Sequence, residues 1–496
     1  MSAVVESAPQ RAGLCPLGLG APTRIIARSG GAAIDLATFH GHVRALAAQL
    51  PAGRHAVNLC EDRYRFLVAF CAVALRGQVT LLPSSRAPAV VADVMDRHAD
   101  TYALGDLPID PAPAGYWRLP DTLSHLDGPV PEVPEDAVVC IGFTSGSTGA
   151  PKPFPKTLAA FRTSNAQNLS AVADLWGQAT PSLVATVPPQ HMYGMEMSVV
   201  MPLMSDACVH GGKPFFPQDV ASALAQMPAP RVLVTTPVHL RALVESGVSL
   251  PPIAGYVSAT APLEQALAQA AEARFGGELR ETFGSTETCI FAKRRTALDT
   301  AWTPLPGVWV QPQPDGTLVH ARHLPQPVPL ADLMEVEPDG RFHLRGRQAD
   351  LLEIAGKRAS LGDLTRRLQA VPGVRDGAVL QLAPDEMGVA RIAALVVAPG
   401  HERDRAARAA AHGDGPGVPA AAHPLRRRAA ARGDRQAAAR CRAAPAGVLI
   451  QGRIRTRPAG CARHARGPHT TPCRLSSKPC PARQDAARWG PERPNG

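Results

Sequence analysis

Ile141-Gly142-Phe143-Thr144-Ser145-Gly146-Ser147-Thr148-Gly149-Ala150-Pro151-Lys152 is the stretch that decides how the rest of the chain is read. The apolar run 137–143 has the length and composition of a buried strand, and it empties into a loop of Ser, Thr and Gly. Gly146 and Gly149 let the backbone come close to an anion. The hydroxyls of Thr144, Ser145, Ser147 and Thr148 add donors. Pro151 stiffens the exit, and Lys152 supplies a point charge. Such a loop suits phosphate. A lone Gly/Ser loop is more often a plain surface turn, so the assignment needs support from the rest of the chain. It is not a Walker loop, because no Gly-Lys-Ser/Thr follows four residues after a first glycine.

Outward from this stretch, short apolar strands alternate with helical spacing. Residues 35–50 have helical periodicity, 55–60 read as a strand, 62–75 as a helix, 78–82 as a strand and 87–97 as a helix. Residues 105–135 are Pro-rich and are expected to loop across the surface. Beyond the loop, 157–173 read as a helix, 183–187 as a strand, 192–203 as an amphipathic helix, 231–235 as a strand feeding a helix, and 253–258 as another strand. This winding predicts an α/β fold with mainly parallel sheets covered by helices.

A chain of 496 residues is long enough for a large core and more than one domain. The opening residues carry no basic-then-apolar leader. The longest apolar run, 66–75, is too short to span a bilayer, so no membrane association is expected. The ten cysteines show no paired spacing. Cys60, Cys71, Cys140 and Cys208 sit inside apolar runs, the pattern of reduced, buried thiols in a cytoplasmic protein. Charge is uneven: residues 401–496 hold 20 Lys+Arg against 6 Asp+Glu, while residues 1–400 hold 32 against 36. The basic character therefore belongs to the tail and gives the main body no nucleic-acid footprint.

Five further stretches stand out. Pro188-Pro-Gln-His191-Met-Tyr-Gly194 ends a strand with a histidine. Ser258-Ala259-Thr260-Ala-Pro-Leu263 is a run of small residues after another strand. Thr282-Phe283-Gly284-Ser-Thr286-Glu287 offers a ring, a hydroxyl and a carboxylate within six positions. Pro329-Leu-Ala-Asp332-Leu and Leu344-Arg-Gly-Arg347 follow, the latter leading to Gly356-Lys-Arg-Ala-Ser-Leu-Gly-Asp363. Each alone has a bland reading, such as a loop histidine or a glycine turn with a solvated glutamate. In this order they resemble, together with the loop, the motifs of the adenylate-forming superfamily: acyl-CoA synthetases, aryl-acid ligases and the adenylation domains of peptide synthetases. The resemblance extends to about residue 400.

The resemblance implies a role for each matching position. Thr144, Ser145, Gly146, Ser147, Thr148 and Gly149 would hold ATP phosphates, with Lys152 beside them. His191 would lie by the substrate carboxylate and the phosphate. Backbone at Ala259 would approach adenine and acyl group, although Thr260 stands where a smaller residue is usual. Phe283, in place of the commoner Tyr, would stack on the base next to Gly284. Thr286 would donate to the α-phosphate, and Glu287 with Thr144 would ligate Mg²⁺. Asp332 would accept from the ribose hydroxyls, although Ala331 replaces the usual Gly. Arg347 would contact ribose or phosphate. The usual hinge Asp falls on Ala349, with Asp350 beside it, and a usual Lys falls on Glu353. The implied organisation is a large adenylation domain over 1–348 and the start of a small α+β lid over 349–400. A basic tail over 401–496 does not belong to the pattern.

The tail, rich in Ala, Arg, Pro, Gly and His, leaves three readings open. It is a disordered basic arm suited to nucleic acid; or a zinc segment using Cys461, His464, His469, Cys473 and Cys480, whose spacing fits no common site; or the product of a frameshift. Reading one base later through synonymous codons for Gly413 to Pro424 permits Ala-Met-Asp-Pro-Val-Phe-Leu-Pro-Arg-Pro-Ile-Arg. The same frame through Leu425 to Ala437 permits Phe-Val-Asp-Ala-Leu-Pro-Arg-Ala-Ala-Thr-Gly-Lys, similar to the superfamily's C-terminal Leu-Pro-Arg-x-x-x-Gly-Lys. The hidden lysine straddles the codon of Gln436. In the chain as it stands, Lys478 is the sole lysine after Lys357.

The expected activity is ATP- and Mg²⁺-dependent adenylation of a carboxylic acid, then transfer to CoA or to the phosphopantetheine of an acyl carrier protein. The compact body resembles short ligases that load aryl or acyl groups, so a small hydroxybenzoate-like acid is expected, with a medium or long fatty acid as the alternative. Loss of the C-terminal lysine predicts a chain that binds ATP but adenylates poorly, or a catalytically silent nucleotide-binding protein. Nucleic-acid binding would be a property of the tail alone.

Overall fold

The structure, a computed structural model, describes residues 13–144, 152–347, 351–354, 357–369, 371, 373–374, 376–382, 392–397 and 448–451. The order of strands and helices is the winding that the sequence predicts, and it builds two large sheets. One has six strands, in the order Lys152–Thr157, Val138–Thr144, Val79–Leu82, His55–Asn58, Thr101–Gly105, Tyr116–Arg118. All its pairings are parallel except the first. The other has nine strands, in the order Thr303–Pro304, Cys289–Arg294, Glu278–Ser285, Gly255–Ser258, Arg231–Thr235, Ser182–Ala185, Cys208–His210, Ile25–Ser29, Ala32–Asp35. Its middle is parallel and its edges are antiparallel.

The helix Arg63–Leu75 packs on strands of both sheets. Its sequence is apolar on every side, the pattern of a helix with no solvent face, and Phe66, Leu67 and Phe70 are shielded from solvent. Each such side chain contributes about 1.5–3 kcal/mol relative to exposure. Helix starts follow local chemistry. The carboxylates of Asp35 and Asp62 accept the amides of Thr38 and Arg65, both at 2.8 Å, and Thr157 Oγ1 accepts that of Ala160 at 3.1 Å.

Three elements differ from the sequence reading. Residues 105–135 are not loop throughout: Tyr116–Arg118 adds an edge strand to the six-stranded sheet, and Glu132–Pro134 pairs with Leu14–Pro16. Residues 192–203 are not an amphipathic helix. They form Met192–Met195, a π-helical turn Glu196–Val200 and Met201–Leu203, buried along their whole length between sheet and neighbouring helix. The methionines and valines there face protein on all sides, and Glu196 is satisfied by internal partners instead of water. In the tail, Val448–Gln451 pairs antiparallel with Ile392–Val397, which pairs in turn with Asp376–Gln381.

Among the described residues, Cys15, Cys60, Cys71, Cys140, Cys208 and Cys289 are buried free thiols, as the apolar runs predict for Cys60, Cys71, Cys140 and Cys208. No helix among the described residues is long and apolar enough to cross a membrane.

Candidate functional site

The parallel strands of the large sheet end on one edge, and ligands of such sheets bind outside the carboxyl ends of the strands. His191, Ala259 and Thr286 all follow those ends. Opposite them stands the hairpin of Val138–Thr144 and Lys152–Thr157, in which Thr144 and Lys152 are cross-strand partners. The intervening Ser145, Gly146, Ser147, Thr148 and Gly149 lie outside the described residues. Thr144 is half-buried and Lys152 exposed, so the two roots of the loop reach the surface side by side.

Gly142, two positions before Thr144, brings the hairpin against the large sheet. A Cβ built there would lie 2.6 Å from Thr286 Cγ2 and 2.9 Å from Met192 Cε. This hairpin, the helix that starts at His191 and the Thr286 turn therefore meet at one point, and any side chain there would force a neighbour to shift.

His191 caps its helix, its Nδ1 accepting the Tyr193 amide at 3.3 Å. An accepting Nδ1 puts the proton on Nε2. The imidazole is exposed, yet the protein packed near it lowers its pKa from the ordinary value by desolvation. It is thus a neutral ring with one N–H to offer. Arg63, fully buried, anchors the segment behind it: its guanidinium donates to the carbonyls of Ala185 (3.0 Å) and Val187 (2.7 Å) and to Ser198 Oγ. Burial lowers the Arg63 pKa to about 10. Gln190 Nε2 donates to the Cys60 carbonyl at 2.7 Å, tying the histidine loop to the same helix entry.

Thr286, Glu287 and Thr288 turn the chain between Glu278–Ser285 and Cys289–Arg294, where Ser285 faces Cys289. Ser285 and Thr288 lock this tip, each amide donating to the other's hydroxyl at 3.2 Å or less. Lys156 Nζ donates to the Glu287 carbonyl at 2.7 Å, and His323 Nε2 bonds the Thr288 carbonyl at 2.7 Å. The Glu287 carboxylate has no hydrogen-bond or ion-pair partner among the described residues, and is half-exposed. Those residues hold no cluster of three or more His, Cys, Asp or Glu that could bind a metal alone. One open carboxylate suits a hard cation that brings its other ligands on a phosphate chain.

Phe283 is half-buried, packed against Phe291 (5.1 Å between ring centroids) and Trp302 (5.3 Å). Gly284 is needed next to it, since a Cβ would lie 2.2 Å from the Cys289 carbonyl oxygen. Ala259 is buried, and Thr260 after it is exposed with φ +81°, a left-handed conformation strained for a β-branched residue. Asp332 and Arg347 are cross-strand partners, and Arg347 Nε donates to Asp332 Oδ1 at 3.1 Å.

The sequence reading missed Arg63, Lys156, Glu196 and His323. Their importance lies in contacts with residues distant in sequence, and no local pattern marks those.

A neutral imidazole, a hydroxyl–carboxylate turn and the paired roots of a Gly/Ser loop, Thr144 and Lys152, at the carboxyl edge of a parallel sheet are the arrangement of an α/β enzyme that binds its ligand on that edge. The chain belongs to the AMP-binding enzyme family, whose profile matches residues 36–314. It is an adenylate-forming enzyme of the acid–thiol ligase class, as its motifs predict. A 4-coumarate–CoA ligase of Rhodobacter capsulatus is 30% identical over 276 residues, covering 56% of this chain and 69% of the relative. One of Halorhodospira halophila is 28% identical over 250 residues, covering 48% of this chain and 58% of the relative. Among solved structures, ATP-bound MatB from Rhodopseudomonas palustris superposes with a TM-score of 0.63 at 18% identity, covering 79% of this chain and 89% of that one. The anthranilate CoA ligase AuaEII with anthranoyl-AMP gives 0.67 at 15% identity, covering 80% and 91%. At these identities the structures attest the fold.

Proposed function

We propose that this chain activates a small aryl carboxylic acid with ATP and passes it to the thiol of CoA. The convergence of hairpin, His191 helix and Thr286 turn at Gly142 supports the reading, because it brings the roots of the Gly/Ser loop close to the residues expected to serve the acid and the α-phosphate. The carboxylate attacks the α-phosphorus in line, forming acyl-adenylate and releasing pyrophosphate; the thiol then displaces AMP. His191 donates its Nε2 proton to the carboxylate or an α-phosphate oxygen. Thr286 donates to the same phosphate, and Lys152 offsets the charge of the outer phosphates. Phe283 offers its ring to the base, Asp332 accepts from the ribose, and Arg347 orients Asp332. Mg²⁺, held by Glu287 and Thr144, would neutralise phosphate charge. The names of the two curated relatives favour an aryl acid and CoA over a fatty acid or a carrier protein.

The test is ATP–pyrophosphate exchange with Mg²⁺ over a panel of 4-coumarate, hydroxybenzoates and fatty acids. It is run on the chain as it stands and on a version read in the shifted frame from Gly413. The repaired version is expected to exchange with an aryl acid, faster by orders of magnitude. Exchange confined to fatty acids would overturn the substrate class, and no exchange in either version would overturn the activity. The absent C-terminal lysine favours a second reading for the chain as it stands: a nucleotide-binding protein that binds MgATP without acid-dependent exchange.

A further inference from the structure

Beneath the Thr286 turn lies a buried polar cluster centred on Glu196. Glu196, on the π-helical turn, is 1% exposed. Its carboxylate accepts Ser164 Oγ at 2.6 Å and Asn168 Nδ2 at 3.1 Å, both from the helix Leu158–Val172 that follows the phosphate-type hairpin. It also accepts the Ile290 amide at 3.2 and 3.0 Å on its two oxygens. Ile290 belongs to the strand leaving the Thr286–Glu287 turn. Lys156, 5% exposed, donates to Glu287 on the near side of that turn. Burial raises the Glu196 pKa, while the hydrogen bonds from Ser164, Asn168 and Ile290 and then the Lys156 charge favour the ionised form.

We propose that Lys156 and Glu196 are a buried positioning pair that fixes the Thr286–Glu287 turn against the nucleotide. Lys156 holds the carbonyl within the turn, and Glu196 holds the strand just after it. Lys156 is on the hairpin strand, while Glu196 begins the π turn four residues after the N-terminal end of the His191 helix. The two side chains thus link the three segments that meet at Gly142, from underneath, without touching the ligand. A buried carboxylate holding three donors resists displacement, because any movement strands a donor or a charge. The π turn contributes geometrically: its wider register is a common device for re-aiming side chains at functional sites.

The inference rests on the nucleotide-site reading, and the experiment separates the two. The full chain, Glu196→Gln, Lys156→Met and the double variant are titrated calorimetrically with MgATP, at a temperature where circular dichroism shows all four folded. Each single substitution is expected to weaken binding roughly tenfold, and the double variant to bind no more weakly than the worse single, the signature of coupled residues. Unchanged MgATP affinity in the singles, with only a lowered Tm, would reduce the pair to packing and overturn the proposal. Additive losses would overturn the pairing. If the unaltered chain does not bind MgATP, the functional reading fails instead. Should Glu196→Gln not fold, Asn168→Ala removes one donor and keeps both charges. It should weaken MgATP binding a few-fold, and an unchanged affinity would again count against the proposal.

Discussion

Replacing Gly142 by alanine drives a methyl group into the gap where three segments of the site meet. The new Cβ would stand 2.6 Å from Thr286 Cγ2 and 2.9 Å from Met192 Cε. Met192 can yield, since its methyl ends a flexible chain. Thr286 cannot rotate freely: it is β-branched, and its turn is pinned by Lys156 and by the Ser285–Thr288 pair. The turn must therefore retreat by roughly 1 Å to restore ordinary contact distance. Overpacking of this kind costs about 1–3 kcal/mol of stability. A displacement of about 1 Å in a catalytic group costs on the order of 100-fold in rate. Thermal melting gives the first quantity, and pyrophosphate exchange in the frame-repaired chain gives the second, with MgATP titration of the chain as it stands beside it. A Gly142→Ala protein with unaltered MgATP affinity and exchange would refute the claim that Thr286 works from this position.

Thr260→Gly should stabilise the protein: relief of about 1–3 kcal/mol of left-handed strain outweighs a glycine entropy cost of about 0.5–1 kcal/mol, so Tm should rise, and a fall would show that Thr260 makes compensating contacts. Asp332→Ala should weaken MgATP binding about tenfold through the lost ribose hydrogen bonds, yet barely alter Tm. Its ion pair with Arg347 joins a partner side chain 60% exposed, a class of pair worth about 0–1 kcal/mol. Equal losses for ATP and 2′-deoxy-ATP, measured relative to the unaltered chain, would argue against a ribose contact. Burial lowers the His323 pKa. Its neutral form therefore contributes stability that is complete above the unfolded value of about 6.5 and lost as pH falls through the lowered folded value. His323→Gln should flatten the decline in Tm between pH 7 and 5, and an unchanged slope would remove His323 from the acid response.

Much of the fold before residue 348 was legible because its signals are local. Alternating apolar runs and helix caps such as Asp35, Asp62 and Thr157 mark where elements start, and the structure places them within a residue or two. The candidate site residues stand out as motifs because His191, Thr286 and Glu287 come with neighbours of fixed type within a few positions. The buried supports were not. Lys156 follows a proline in a short strand, and Glu196 sits among methionines and valines, so each reads as a surface residue or an interruption until the opposing strand is in place. Sequence spacing likewise cannot announce a π turn, which differs from an α-helix by one hydrogen-bond register.

The helix Arg63–Leu75 has a consequence for how the chain comes together. It is enclosed by two sheets, and the nine-stranded one takes edge strands from Ile25–Asp35 but its centre from beyond residue 180. The first strands made pair with each other, but the inner one, Ile25–Ser29, must wait for its second partner, Cys208–His210, made much later, while the six-stranded sheet forms from the sequence between. Long waits of this kind slow folding and leave apolar edges uncovered. No cut in the Pro-rich segment 105–135 should therefore release two independent halves. Fragments severed there are expected to be soluble only when produced together, each supplying strands that the other's core requires.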